Sequence, residues 1–362
     1  MTIERLQPVK SEPQEQALRY ILASSEFGVL VPVSDGIYLL RMPMDLGLDH
    51  INVYLLEDND GWYVIDTGLA SDKVRDIWTR IAADCLANKP LKGLICTHFH
   101  YDHASLADWL MKTFNIPLYM TSGEYLWMRT LAESRQKRVK DTLKPFYTCH
   151  GVPHNDIDKI LAMVEQDTLS ALYPTKYCRV REGDVFTIGG RSWLVMIGEG
   201  HSPEHICLYN AQDGLLIAGD QLLPDISSSI FVNEIEPDAD PLRGWLASLN
   251  KLSALPDDTQ VLPSHGGLFV GIQQRSKELH ALHQKRLNRL LDTLKDQGDC
   301  SLYQLMRSLF SREMNAMNTM LALGETAAHI NYLLNETKLE KQISADKGEI
   351  TYRLTFAIDS LT

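Results

Sequence analysis

Leu94-Ile95-Cys96-Thr97-His98-Phe99-His100-Tyr101-Asp102-His103 is an apolar run that ends in a cluster of ligand-type side chains. It reads as a buried strand delivering its C-terminal loop to a site. In extended chain, residues two apart point the same way, so His98 and His100 can grip one ion. Asp102 and His103 follow where the chain turns and can face a second ion. Three positions downstream share this context. His201 follows the run Trp193-Leu194-Val195-Met196-Ile197 and opens His201-Ser202-Pro203-Glu204-His205 after Gly200. Asp220 closes Leu215-Leu216-Ile217-Ala218-Gly219, and His265 closes Val261-Leu262-Pro263-Ser264 ahead of Gly266-Gly267. Each ends an apolar strand beside glycine or proline, where open α/β sheets place their sites.

Outward from these motifs, short strand-like runs succeed one another from residue 35. They are Gly36–Arg41, Ile51–Glu57, Trp62–Asp66, Leu94–Thr97, Pro117–Met120, Val185–Ile188, Ser192–Ile197, Ile206–Tyr209, Leu215–Ala218 and Gln260–Pro263. Helical patterns intervene at Ser71–Ala87, Ser105–Phe114 and Pro241–Leu252, which predicts an α/β domain over residues 35–274 with helix-covered sheets. Residues 1–34 read as an arm holding one amphipathic helix from Gln14 to Ser25.

Within about 122–176 the strand pattern stops and helical segments form an insertion suited to a lid or pocket wall. Its stretch Arg129–Lys144 carries six basic residues, among them Arg135, Lys137 and Arg138, against Glu133 and Asp141. That local excess is either a solvated helix face or an anchor for an anionic substrate. Residues 275–362 read as a helical, winged-helix-like domain. Its helices are at Arg275–Gln297, Ser301–Phe310 and Thr326–Thr337, followed by a hairpin of Lys341–Ser344 and Glu349–Thr355. Ten basic and ten acidic residues between Glu278 and Ile358 leave this module without net charge, which favours packing or a homodimer over DNA binding.

The chain has 362 residues, 44% hydrophobic and 23% charged, enough apolar content for a sizeable core and too much for disorder. Its 35 Lys and Arg against 47 Asp and Glu give −12, which argues against nucleic acid as a partner. The six cysteines are widely spaced and form no Cys-x-x-Cys pair, so neither a disulfide framework nor a thiolate metal site is expected. No run of 18 apolar residues occurs and the first residues are acidic and proline-containing, so a cytoplasmic protein without membrane contact is expected.

Five motifs in order resemble those of the metallo-β-lactamase fold superfamily over residues 36–270: Val64-Ile65-Asp66-Thr67-Gly68, Thr97 to His103, Gly200 to His205, Gly219-Asp220 and Ser264-His265-Gly266. The resemblance implies a four-layer αββα sandwich with two divalent metal ions, zinc in the first place and iron or manganese otherwise. It implies His98, His100 and His201 on the first ion, Asp102, His103 and His265 on the second, and Asp220 bridging. A hydroxide shared by two such ions would attack a substrate carbonyl, with Asp102 orienting it and passing on a proton. The best-known zinc lactamases of this superfamily carry cysteine where this chain has Asp220, and its flavodiiron members carry glutamate at His100. The C-terminal region resembles that of glyoxalase II-related hydrolases. A small anionic thioester of acyl-CoA or acyl-glutathione type is therefore the expected substrate, with lactones or phosphodiesters of nuclease type as alternatives.

Other residues carry lesser expectations. Asp66 should hydrogen-bond a ligand or a loop amide, with a purely structural turn as the alternative. His205 reads as structural rather than ligating, His150 and His154 as surface or core, and His280 and His283 as exposed. Tyr101 faces substrate or packs in the wall.

Overall fold

Side-chain alternation along the strands assigns each sheet its two faces. In the computed structural model, which describes residues 18–45, 47–84, 86, 89–132, 138–167 and 173–355, two seven-stranded sheets lie face to face. The first runs β2 (Leu30–Ser34), β3 (Ile37–Pro43), β4 (His50–Asp58), β5 (Gly61–Ile65), β6 (Leu91–Ile95), β7 (Leu118–Thr121), β8 (Cys178–Val180). The second runs β1 (Arg19–Leu22), β14 (Leu268–Val270), β13 (Gln260–Pro263), β12 (Leu215–Gly219), β11 (His205–Asn210), β10 (Arg191–Gly198), β9 (Val185–Ile188).

Ile37 and Leu39 of β3, Tyr54 and Leu56 of β4, and Leu215 and Ile217 of β12 point into the layer between the sheets. Their neighbours Leu40 and Met42, Val53 and Leu55 point to the outer face of the first sheet. That face is covered by α1 (Asp72–Asp84), α3 (Ala107–Phe114) and α4 (Ser122–Ala132), while α2 (Tyr101–Ala104) forms the turn after β6. Leu216 and Ala218 point to the outer face of the second sheet, onto α7 (Pro241–Ser253) and α8 (Ile272–Gln297). Helix, sheet, sheet, helix is the αββα order that the motifs implied.

The insertion contributes α4, a π-helical turn at Val139–Leu143, α5 (Lys144–Cys149) and α6 (His154–Gln166). After α8 come β15 (Cys300–Ser301), α9 (Leu302–Leu309), α10 (Ala316–Asn335), β16 (Leu339–Ile343) and β17 (Ile350–Leu354), the strands pairing in the order β15-β17-β16. Apolar side chains of α5, α6, α8, α9 and α10 share one core with α7 and the second sheet.

Two expectations give way. The arm's helix is overturned at Arg19–Leu22, which is a strand paired antiparallel with Leu268–Val270; positions 14–17 lie outside the described residues. Pairing to an open sheet edge outweighs a weak local helical pattern. The last long helix starts at Ala316, well before Thr326, because Asn315 caps it by accepting from Asn318 N. Among the described residues no helix is long and apolar enough to cross a membrane.

The helix α7 is seated against the loop that carries His201. Gly200 has φ +101°, and a Cβ there would lie 2.4 Å from Pro241 O and 2.6 Å from Trp245 N, both backbone atoms of α7. Gly200→Ala is expected to cost about 2 kcal/mol or more, because the left-handed backbone and the contact with a helix both resist. Urea unfolding checks this; a variant as stable as the parent would contradict it.

Candidate metal centre

The C-terminal ends of β6, β10, β12 and β13 bring the sequence motifs to one rim of the sandwich. There His98, His100, His201 and Asp220 place one ligand atom each within 4.8 Å of one another, and Asp102, His103 and His265 do the same beside them. Asp220 stands between the groups, with Oδ2 3.4 Å from His201 Nε2 and Oδ1 3.3 Å from His265 Nε2. Asp102 Oδ2 lies 3.3 Å from His265 Nε2 and 3.5 Å from His103 Nε2.

The surrounding hydrogen bonds set the direction of each ring. His201 Nδ1 donates to Ser229 O at 2.8 Å, His265 Nδ1 to His50 O at 2.8 Å, and His103 Nδ1 to Asp66 Oδ2 at 2.8 Å. Thr97 Oγ1 donates to Asp66 and so accepts from His98 Nδ1 at 3.0 Å. With each proton held on Nδ1, the Nε2 lone pairs of these four rings point inward. His98 Nε2 then faces His201 Nε2 at 3.2 Å. Lone pair against lone pair is repulsive unless a cation lies between. His103 Nε2 and Asp220 Oδ1 are buried and make no hydrogen bond, orphans of the kind an ion would satisfy.

Electrostatics point the same way. Burial, with His103 and its other ring neighbours, holds His98 neutral, and burial with His201 lowers His100 to about 3. Burial also opposes charge on His103 and His265, yet the carboxylates around them overcome it. Asp102 and Asp66 lead in holding His103 well up, and Asp220 and Asp102 carry His265 to about 10. The carboxylates thus call for positive charge at this rim, and neutral imidazoles with carboxylates suit divalent first-row ions.

Around the ligands stands a scaffold of further residues. Asp66, with φ +65°, accepts from Thr97 N at 2.7 Å as well as from His103 and Thr97 Oγ1, so it holds a ligand ring and a loop amide together. His205 is buried; its Nε2 accepts from Asp220 N at 3.0 Å and fixes the carboxylate that separates the two groups. His150 is a core residue bonded to Phe146 O, and His154 is exposed. Tyr101 lines the cavity, donates to Asp167 Oδ2 at 2.9 Å and stacks on Tyr173.

His283 is not exposed: it is wholly buried, while His280 is half-buried. The correction comes from α10, whose His329 accepts at Nε2 from His283 Nδ1 at 3.1 Å and donates from Nδ1 to Glu325 O at 2.7 Å. Burial lowers His283 to about 2 and His329 to about 4, as expected for neutral rings in a hydrogen-bonded chain. Glu325 is paired with Arg286, so this cluster is satisfied without an ion.

Two supports have no mark in the motifs. Glu124 of α4 is wholly buried and accepts from Phe99 N at 3.0 Å, Ser202 Oγ at 2.7 Å and Glu204 N at 2.7 Å. It therefore clamps the His98–His103 loop to the His201 loop. Burial pushes its carboxyl up to about 7 against the pull of those donors. On the opposite side, Asn52 Nδ2 donates to Pro263 O and Gly266 O, Tyr54 to Pro263 O, and His50 Nε2 accepts from Gly266 N. Strand β4 thereby grips the loop that holds His265.

A cavity of about 1580 Å³ opens over the ligands, and His100, Asp102, His201, Asp220 and His265 line it. Arg138 also lines it, but its guanidinium is taken by the buried Glu234; Arg135 and Lys137 lie outside the described residues.

Glutamine at position 124 would present an amide N–H to one of three donors. Glu124→Gln is expected to cost about 1–3 kcal/mol of stability and to weaken metal retention. Thermal melting with metal analysis checks this, and wild-type values for both would contradict the clamp.

The sequence profile of the metallo-β-lactamase superfamily matches residues 46–265, and that of a metallo-β-lactamase-like C-terminal domain matches residues 287–355. A β-lactamase domain protein of Burkholderia ambifaria superposes with TM-score 0.85 at 34% identity, covering 93% of this chain and 98% of that one. A probable metallo-hydrolase of Bacillus subtilis, YqjP, is 25% identical over 83% of this chain and 92% of its own length. The bovine acyl-coenzyme A thioesterase MBLAC2 is 25% identical over 52% of this chain and 64% of its own length. With a profile spanning more than half its length, and with metal-dependent hydrolases among its relatives, this chain belongs to the metallo-β-lactamase superfamily and is a hydrolase of that superfamily.

Proposed function

We propose that the protein hydrolyses a thioester at a centre of two divalent ions, zinc in the first instance. The observation that carries the reading is the pair of adjoining ligand groups, sharing Asp220 and opening into a single cavity. His98, His100 and His201 would hold one ion, and Asp102, His103 and His265 the other, with Asp220 between. Bound there, the ions would supply Lewis acidity and a water ionised near neutral pH.

The chain's own residues do the rest. The rings are aimed before any ion arrives, because Ser229 O, His50 O, Asp66 and Thr97 Oγ1 already hold their protons. Asp102 is the carboxylate placed to work on water and substrate: its side chain reaches the cavity while Oδ2 stays beside His265. It accepts the proton of the attacking water and returns it to the departing sulfur, so that the C–S bond breaks and a carboxylic acid and a thiol leave. The thioester class draws on the acyl-coenzyme A thioesterase relative and on the size of the cavity.

Thiol release from N-acetylcysteamine thioesters, followed with a chromogenic disulfide on zinc-loaded protein, tests the reading. Turnover is expected, and Asp102→Asn should lower kcat by about 10²-fold or more with KM little changed. No hydrolysis of any thioester by fully loaded protein would contradict the assignment.

A further inference from the structure

The cavity, at about 1580 Å³, is larger than the roughly 300–1,000 Å³ of an ordinary small-molecule site. Beyond His100, Asp102, His201, Asp220 and His265 the walls are built from three separate parts of the chain. Trp127 belongs to α4 and Leu143, Tyr147 and Met163 to the rest of the insertion; Phe231 lies on the long loop after β12, and Met320 on α10. Phe231 is held at the wall because Gly324 of α10 lets its ring approach where any Cβ would come within 2.2 Å. These side chains make much of the wall apolar, and the methionines can adjust to what they enclose.

Each cation that lines the cavity has a carboxylate partner, and the carboxylates of Asp167, Glu199 and Glu236 line it as well. Arg138 is bound by Glu234, Arg243 by Asp240 and Glu336, and Lys159 lies 3.7 Å from Asp156. A short acyl group would occupy the ligand end alone and leave most of these apolar walls against water.

We infer that the cavity is an acyl-chain site, and that the substrate's acyl half is a chain of about eight carbons or more, lying between the insertion helices and α10. This rests on the thioester reading of the same centre. Each methylene buried along the walls should raise affinity by about fourfold until the cavity is filled. The chain's carbonyl end lies at Asp102 and Asp220, and its methyl end points toward Met163 and Met320.

Binding separates this inference from the chemistry. Sodium butanoate, hexanoate, octanoate and decanoate are titrated into zinc-loaded protein below their micelle concentrations, and displacement of an anilinonaphthalene sulfonate dye is read. Affinity should rise with every added pair of methylenes, by about 10³-fold or more from butanoate to decanoate. Met320→Asp should remove most of that rise, and Met163→Asp, on α6, should do so independently if the first variant does not fold; melting curves report folding. A parallel series of N-acetylcysteamine thioesters on zinc-loaded protein should show kcat/KM climbing in the same order. Flat or falling affinity along the carboxylate series overturns the acyl-chain site, whatever the activity. Rising affinity without hydrolysis of any thioester upholds the site and overturns the proposed reaction instead.

Discussion

The constraint on which the centre depends is the facing of lone pairs across the rim of the sandwich. His98 Nε2 looks at His201 Nε2 from 3.2 Å while the opposite nitrogen of each ring has its proton committed to Thr97 Oγ1 or Ser229 O. Left alone, such rings would turn away or take up protons. They are held by a layer of partners: Asp66 under Thr97 and His103, His205 under Asp220, β4 under His265, Glu124 across two loops. Several buried polar groups hold this repulsive arrangement in place, and a divalent cation between the rings would convert it into attraction.

The sandwich makes this possible by geometry. Parallel pairing of β5 with β6 and of β12 with β13 brings the ends of strands from both sheets to one rim, where their loops meet. Because the strands are buried on both faces, the loops inherit rigid starting points. The insertion and α10 shape the space above the site.

Much of the fold was legible because its central strands are apolar on both sides. Runs such as Leu215–Gly219 and Gln260–Pro263 stand out against polar turns, and the ligand-type residues sit at their ends. The edges were harder to read. Arg19–Leu22 pairs with only three residues, Leu268–Val270, and carries no alternation strong enough to displace a helical reading. Glu124 illustrates another limit: its burial follows from loops far away in sequence, and nothing in Ser122-Gly123-Glu124 signals a clamp. His283 likewise looked exposed because its helix is polar, and its partner His329 lies on a helix that only tertiary packing brings near. Local pattern reports which face of an element is apolar; it does not report which polar residue will be covered by another element.

Calorimetric titration of the metal-free protein with zinc, with metal analysis of the product, addresses the central claim most directly. The account predicts about two equivalents bound, with His201→Ala and His103→Ala each removing a share of that binding. Retention of no more than traces by wild-type protein, or full binding after both substitutions, would contradict it.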